Sequence, residues 1–268
     1  MRRGELTDDQ WEKLQPLLPP QKPRTGRPGD DHRRIVNGIL WIDRTGAPWR
    51  DLPERYGPWS TVASRFYRWQ KAGVWQSILA ALQQQTDAAG QLDWSKHYVD
   101  STMIRAHQHA AGAKGGDPNQ EALGRSQGGF STKLHLRAEG KGKPLTFLLT
   151  AGQCHEAPVF EHLMEQGAVK RQGRGRPRRR PQQIVGDKAY SSSKIRRYLK
   201  RHSIQPTIAH RSNEKRTEPF DRAAYRERHR VECLINRLKQ FRRVATRYEK
   251  RTDNYLAMVQ IVSILLWL

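Results

Sequence analysis

The chain has 268 residues, with 49 Lys+Arg against 26 Asp+Glu and a formal net charge of +23. That length allows one or two domains with real cores, and 8 Trp spread through periodic segments exclude an unfolded basic tail. The charge points to a polyanionic partner, nucleic acid first among them, and the two cysteines, Cys154 and Cys233, lack the spacing of a disulfide framework or a zinc finger.

A reducing cytoplasm is the compartment expected from that cysteine usage. The opening MRRGELTDDQ has two arginines without an apolar run behind them, so it does not read as a signal peptide. The closing YLAMVQIVSILLWL is apolar for about fourteen residues, short of the roughly 20 that cross a bilayer. It reads as a buried terminal helix, and no membrane partner is expected.

The first ninety residues read as helical. Thr7 followed by Gln10 forms a capping box ahead of Trp11, Leu14, Leu17 and Leu18, and Pro19-Pro20 ends that helix. After a polar linker, His32 to Arg44 carries Ile35, Ile39, Leu40 and Ile42 at helical spacing. A Pro/Gly/Trp-rich connection then leads to a helix that Ser60 is placed to cap. In it Val62, Phe66 and Trp69 face inward while Arg65, Arg68 and Lys71 recur on the other side. A packed back and a basic front suit a recognition helix in a helix-turn-helix, and equally a surface helix of an unrelated bundle.

From Asp93 the period shortens towards two. His97 to Ala106 reads as a strand interrupted by Asp100, where a buried strand is otherwise apolar. Gly129 to Ala138 alternates, with Phe130, Thr132, Leu134 and Leu136 on one face and Ser131, Lys133, His135 and Arg137 on the other. EGKGKP turns it back into LTFLLTAG as a hairpin. Glu156 to Gln166 reads as a short helix, QGRGRPRRRPQQ as a basic loop, and IVGDKAY as a strand ending in Asp187. A helix over Ser191–His202, a strand IQPTIA and further helices follow. The order predicts a mixed sheet flanked by helices, in the α/β or α+β class, behind a small all-helical segment. The boundary between the two domains, 1–90 and 91–268, is expected near the change of period.

Within YRERHRVECLINRLK, Tyr225, Arg228, Glu232 and Lys239 fall within an arc of roughly 60° on a continuous helix. Val231, Leu234, Ile235 and Leu238 supply its core side. A solvated helix with i,i+4 pairs around Glu232 explains that spacing as well as a cation-holding carboxylate flanked by phosphate-gripping groups does. The other acids weigh in. Asp100 and Asp187 on strands and Glu232 on a helix would repel one another if gathered, and a hard cation such as Mg²⁺ is what makes such a gathering tolerable.

Tyr225-x2-Arg228-x3-Glu232-x6-Lys239 resembles in full the signature of the DDE insertion-sequence transposases of the insertion-sequence-four/five group. VDSTMIRAH around Asp100, GRSQGGFSTKLHL from Gly124 and GDKAY around Asp187 are similar to the companion motifs of the insertion-sequence-five branch, as is the Trp-rich segment from Thr7 to about Leu82. The resemblance implies an RNase H-like catalytic domain preceded by a helix-turn-helix-like DNA-binding domain. It implies Asp100, Asp187 and Glu232 as the metal-binding triad, with two Mg²⁺ ions per site that Mn²⁺ replaces. Tyr225, Arg228 and Lys239 would contact DNA. It further implies double-stranded DNA, at element ends and target, as the partner, at least a dimer on that DNA, and a bacterial, nucleoid-associated location. Only a short polar stretch separates IQPTIA from the Glu232 helix, so the β-rich insertion that wider members of the group carry there is missing.

Two basic stretches stand outside these motifs. Arg174-Gly175-Arg176-Pro177 has the form of a minor-groove contact, with a fainter echo at Arg24 to Pro28, and a solvated loop with no sequence preference fits it as well. His107 and His109 share the spacing of one strand face. A DNA-binding regulator without catalysis, and an RNase H-like nuclease such as a resolvase, are the alternatives to a transposase.

Overall fold

The computed structural model describes residues 4–21, 29–112, 121–126, 128–212 and 220–268. In chain order these form α1 (Asp8–Leu14), α2 (His32–Thr45), α3 (Trp59–Lys71), α4 (Val74–Ala88), β1 (Lys96–Ala106), β2 (Gly124–Ser126), β3 (Gly129–Ala138), β4 (Pro144–Ala151), α5 (Phe160–Gln166), β5 (Gln183–Gly186), α6 (Ser193–Arg201), β6 (Gln205–Ile208), α7 (Arg222–Arg226), α8 (His229–Lys239), α9 (Arg242–Ala245) and α10 (Thr252–Trp267). Arg24 to Pro28 lies outside the described residues.

Two compact units result, each drawn from separate stretches of the chain. One gathers Met1–Leu82, Ala106–Gly116 and Leu238–Leu268; the other holds Gln83–Arg105 and Asp117–Arg237. The cause lies in α10, which is apolar nearly all round and has to be enclosed on every side. It packs on α2 and α3, burying Tyr255, Met258 and Val262 completely. Among the described residues no helix is long and apolar enough to cross a membrane.

In the helical unit, Thr7 and Gln10 exchange both capping bonds at 3.1 Å. Asp31 caps α2, and Gly46 ends it at φ 71°, a left-handed turn that suits glycine. Ser60 does not cap α3: the helix starts at Trp59, two residues before a Ser60 cap would place it, because Pro58 with φ −58° and ψ 128° already sets the entry. The expected back of α3 is the core, with Val62 and Phe66 fully buried and Trp69 in edge contact with Trp75 at 5.3 Å. His107 and His109 fall beyond the end of β1, in a 3-10 turn with their rings 4.5 Å apart, so they do not line a strand face.

In the second unit β1 is the centre of a mixed sheet. It runs antiparallel to β3, with Asp100 opposite Leu136, and parallel to β5, with Val99 beside Gly186. β6 adds parallel to β5, while the outer edge of β3 takes β2 along its first residues and β4 along the rest. The order β4-β3-β1-β5-β6 is the RNase H-like sheet. On one face Val99, Phe160, Leu163, Ile184, Ile195 and Leu199 form the core with α5 and α6. On the other, Lys96 and Tyr98 both bond Glu227, in the turn between α7 and α8.

Two local expectations change. The polar face of β3 is buried like the apolar one: Arg137 and His135 have no exposure and Ser131 has 1%. Arg137 is satisfied there by His97 Nδ1 and by the carbonyls of Met164 and Arg179. The helix expected to run unbroken through Tyr225 and Lys239 is instead α7 and α8. Between them Arg228 N–H bonds Tyr225 O at 3.1 Å and Val231 N–H bonds Arg228 O at 3.0 Å, the tighter i to i−3 pattern.

Candidate active site

Asp100 is the fifth residue of β1, on the face that carries Tyr98. It is 8% exposed; Oδ1 accepts Ser101 N–H at 2.8 Å, and Oδ2 accepts Arg228 Nη1 at 2.9 Å. Its carboxyl is pushed up to about 6: burial raises it most, the Ser101 bond and the Arg228 charge lower it, and the charges of Asp187 and Glu232 raise it. Asp100 therefore lies within the field of both other carboxylates.

Asp187 follows β5 directly. Since Val99 stands beside Gly186 in a parallel pair, Asp100 and Asp187 come next on neighbouring strands, which run about 4.8 Å apart. Oδ1 of Asp187 accepts Ala189 N–H at 2.9 Å and so starts the 3-10 turn Lys188–Tyr190. Glu232 stands in the first turn of α8, where the helix dipole favours an anion, and its side chain is 50% exposed. Val231 and Leu234 are buried on the opposite side of that helix.

The cation between these acids is Arg228, whose Nη1 bonds Asp100 and whose Nη2 bonds Glu232. Among the described residues no three Asp, Glu, His or Cys side chains are grouped as ligands of a metal ion. The donor chemistry nonetheless fits a hard divalent ion: every acid offers only oxygen, and none is balanced by a soft ligand. An ion entering between Asp100 and Glu232 would displace Arg228 from one or both.

Tyr225 stacks between Phe220, ring centroids 5.1 Å apart, and Arg228, whose guanidinium carbon is 6.0 Å from its ring centre. Lys239 is the last residue of α8 and counts with the helical unit, where burial lowers its ammonium pKa. On α3, Arg68 and Lys71 are exposed, whereas Arg65 turns back to His32 Nε2 at 2.8 Å and lies over Trp69. Arg174 and Arg176 are exposed in the loop before β5.

Sequence reasoning missed a second polar cluster on the far face of β1. Lys133 Nζ pairs with Glu156 Oε1 at 2.7 Å, and Ser101 Oγ donates to the same oxygen at 3.1 Å. Burial pushes the Glu156 carboxyl up, but the bond and charge of Lys133, a backbone hydrogen bond and the Ser101 bond together outweigh it and hold the group below its ordinary value. The one signal for it was the alternation that places Lys133 beside Ser131 and His135. Glu156 itself reads as an ordinary acid at a helix start.

Residues 98–267 match the family described as "Transposase DDE domain", and residues 6–79 match "Putative transposase of IS4/5 family". The "Putative transposase for insertion sequence element IS6501" of Brucella ovis is 28% identical over 141 residues, 52% of this chain and 99% of that one. The "Insertion element IS402 uncharacterized 16.2 kDa protein" of Burkholderia cepacia is 41% identical over 112 residues, 40% of this chain and 76% of that one. Among solved structures, a piggyBac transposase synaptic complex with hairpin DNA aligns with TM-score 0.47 at 11% identity, covering 94% of this chain and 69% of that one. With more than half its length in the first of these matches, the chain belongs to the DDE transposase family.

Proposed function

We propose that this transposase binds the inverted-repeat ends of its insertion sequence, cleaves them by hydrolysis and joins the freed 3′-OH to target DNA. The observation that supports the reading is that Asp100 on β1 and Asp187 directly after β5 each follow the last paired residues, Val99 and Gly186, and that Asp100 feels the charges of Asp187 and Glu232. Asp100, Asp187 and Glu232 would hold divalent ions, two Mg²⁺ with Mn²⁺ as substitute. Bound there, such ions supply Lewis acidity for in-line displacement at phosphorus.

In the first reaction a water oxygen bonds to the phosphorus and the 3′ oxygen leaves, taking a proton as the 3′-OH. In the second that 3′ oxygen attacks a target phosphate and displaces the target's own 3′ oxygen. One phosphodiester is exchanged for another, so no protein–DNA covalent link is needed. Arg228 turns from the carboxylates to the phosphate that arrives beside them, as a fork-shaped donor suited to both. Tyr225 supports that guanidinium and meets the end nucleotide, and Lys239 adds charge on an adjacent phosphate. The N-terminal segment, residues 1–90, recognises the ends through Arg68 and Lys71 of α3, with Arg65 bracing that surface; residues 91–268 carry the chemistry. Synapsis of two ends requires at least a dimer on DNA, and the work is done at the bacterial nucleoid.

Asp187→Asn separates binding from chemistry. Nicking of an end-containing duplex in Mg²⁺ should fall on the order of 10³-fold or more, as when one member of a catalytic set is removed, while affinity for the duplex stays. Nicking that persists would refute the triad; a wild type that binds ends but never cuts would make the protein a regulator.

A further inference from the structure

The loop from Val169 to Arg178 is built differently from a solvated basic tail. Its ends are clamped by a pair of backbone bonds, Val169 N–H to Arg178 O and Arg178 N–H to Val169 O, both 2.8 Å. Its base is tied down on three sides. Arg178 lies 4.7 Å over the Trp94 ring and 3.4 Å from Asp87; the Arg179 carbonyl accepts from fully buried Arg137 at 2.7 Å; and the Arg171 carbonyl accepts from Gln84 at 3.0 Å. The cation at the base is thus committed, and the loop is fixed in direction.

The tip is the opposite. Gly173 at φ 91° and Gly175 at φ 142° bracket Arg174 in conformations that side chains resist, and nothing lies within 4 Å of a Cβ built on Gly173. Arg174 and Arg176 are exposed, and no carboxylate pairs with either among the described residues. Two arginines separated by a residue without a side chain form a narrow probe. The minor groove is only about 6 Å wide, and its negative potential deepens where A·T tracts narrow it, which draws arginine in.

We propose that this hairpin reads the minor groove of A·T-rich duplex with Arg174 and Arg176. The proposal rests on the DNA-binding function proposed above. The hairpin enters β5 at the end opposite Asp187, so its contact falls on duplex that flanks the cut. It positions the enzyme on flanking sequence and takes no part in chemistry.

Base analogues test this with the full-length protein. Fluorescence anisotropy would compare short duplexes carrying an A·T, an inosine·C or a G·C tract; inosine·C has the minor-groove face of A·T and the major-groove acceptors of G·C. Wild type should bind A·T and inosine·C alike, each about tenfold tighter than G·C, and netropsin should compete. The double variant Arg174→Gln/Arg176→Gln, unchanged in melting temperature because both arginines are exposed, should lose the preference. Inosine·C behaving as G·C, no preference in wild type, or a preference that survives the double variant would each overturn the inference and leave the transposase reading intact. No binding to any duplex would overturn both.

Discussion

At the scale of single residues, Arg228 has two competing partners. Its guanidinium pairs with Asp100 and Glu232, and the proposed reaction would take those oxygens for metal and the guanidinium for phosphate. Arg228→Gln should therefore tighten Mn²⁺ binding in the absence of DNA, by about tenfold or one charge pair's worth, read by Mn²⁺ electron paramagnetic resonance, while nicking falls. Unchanged Mn²⁺ affinity would show that Arg228 does not compete for the site. The proposed triad stands out in the sequence because each acid breaks a pattern: Asp100 interrupts and Asp187 ends an apolar strand, and Glu232 stands on a core-packed helix. The Arg228–Glu232 pair was also visible, at i,i+4. Its second bond, to Asp100, joins residues from two distant elements and no spacing announces it. Glu156 and Lys133 escaped for the same reason.

At the scale of elements, period and punctuation carried the strands. β3 occupies Gly129–Ala138 as expected, but alternation could not tell that its polar face is buried, since that depends on α5 and the loop before β5 closing over it. A consequence is pH dependence. Burial, then the Arg137 charge, hold His97 well below its ordinary value, so it stays neutral in the folded chain. The unfolded imidazole takes a proton near 6.5, so the unfolded state binds more protons below that pH and stability falls as pH drops through about 6.5. The urea midpoint should decrease from pH 7.5 to 5.5, and less so in His97→Gln; a His97 imidazole titrating near 6.5 in the folded protein, by NMR, would contradict this. The break between α7 and α8 was hidden from helical periodicity because a 3-10 turn keeps neighbouring side chains roughly on the same arc. On α3 the apolar back was fully readable, whereas the retreat of Arg65 to His32 was not. Arg68→Gln/Lys71→Gln should reduce the slope of log affinity against log salt by about 2, one for each lost phosphate contact; an unchanged slope would remove α3 from the interface.

At the scale of the molecule, the charge of +23 and the RNase H-like sheet belong to one account of DNA chemistry. The class of the sheet was legible from element order. The division into units was not, because α10 and the N-terminal helices, at opposite ends of the chain, share one core. An all-round apolar helix announces that it must be covered without saying by what. The central claim is that Asp100, Asp187 and Glu232 cut the ends of an element, and a donor-plasmid assay tests it most directly. Purified protein in Mg²⁺ or Mn²⁺ would act on its own gene with several hundred flanking base pairs, wild type beside Glu232→Ala, with the 3′-OH ends mapped by primer extension. The account predicts discrete 3′-OH ends at the two boundaries of the element with wild type and none with the variant. Ends that appear equally with both proteins, or boundary-specific binding with no cut by either, would contradict it.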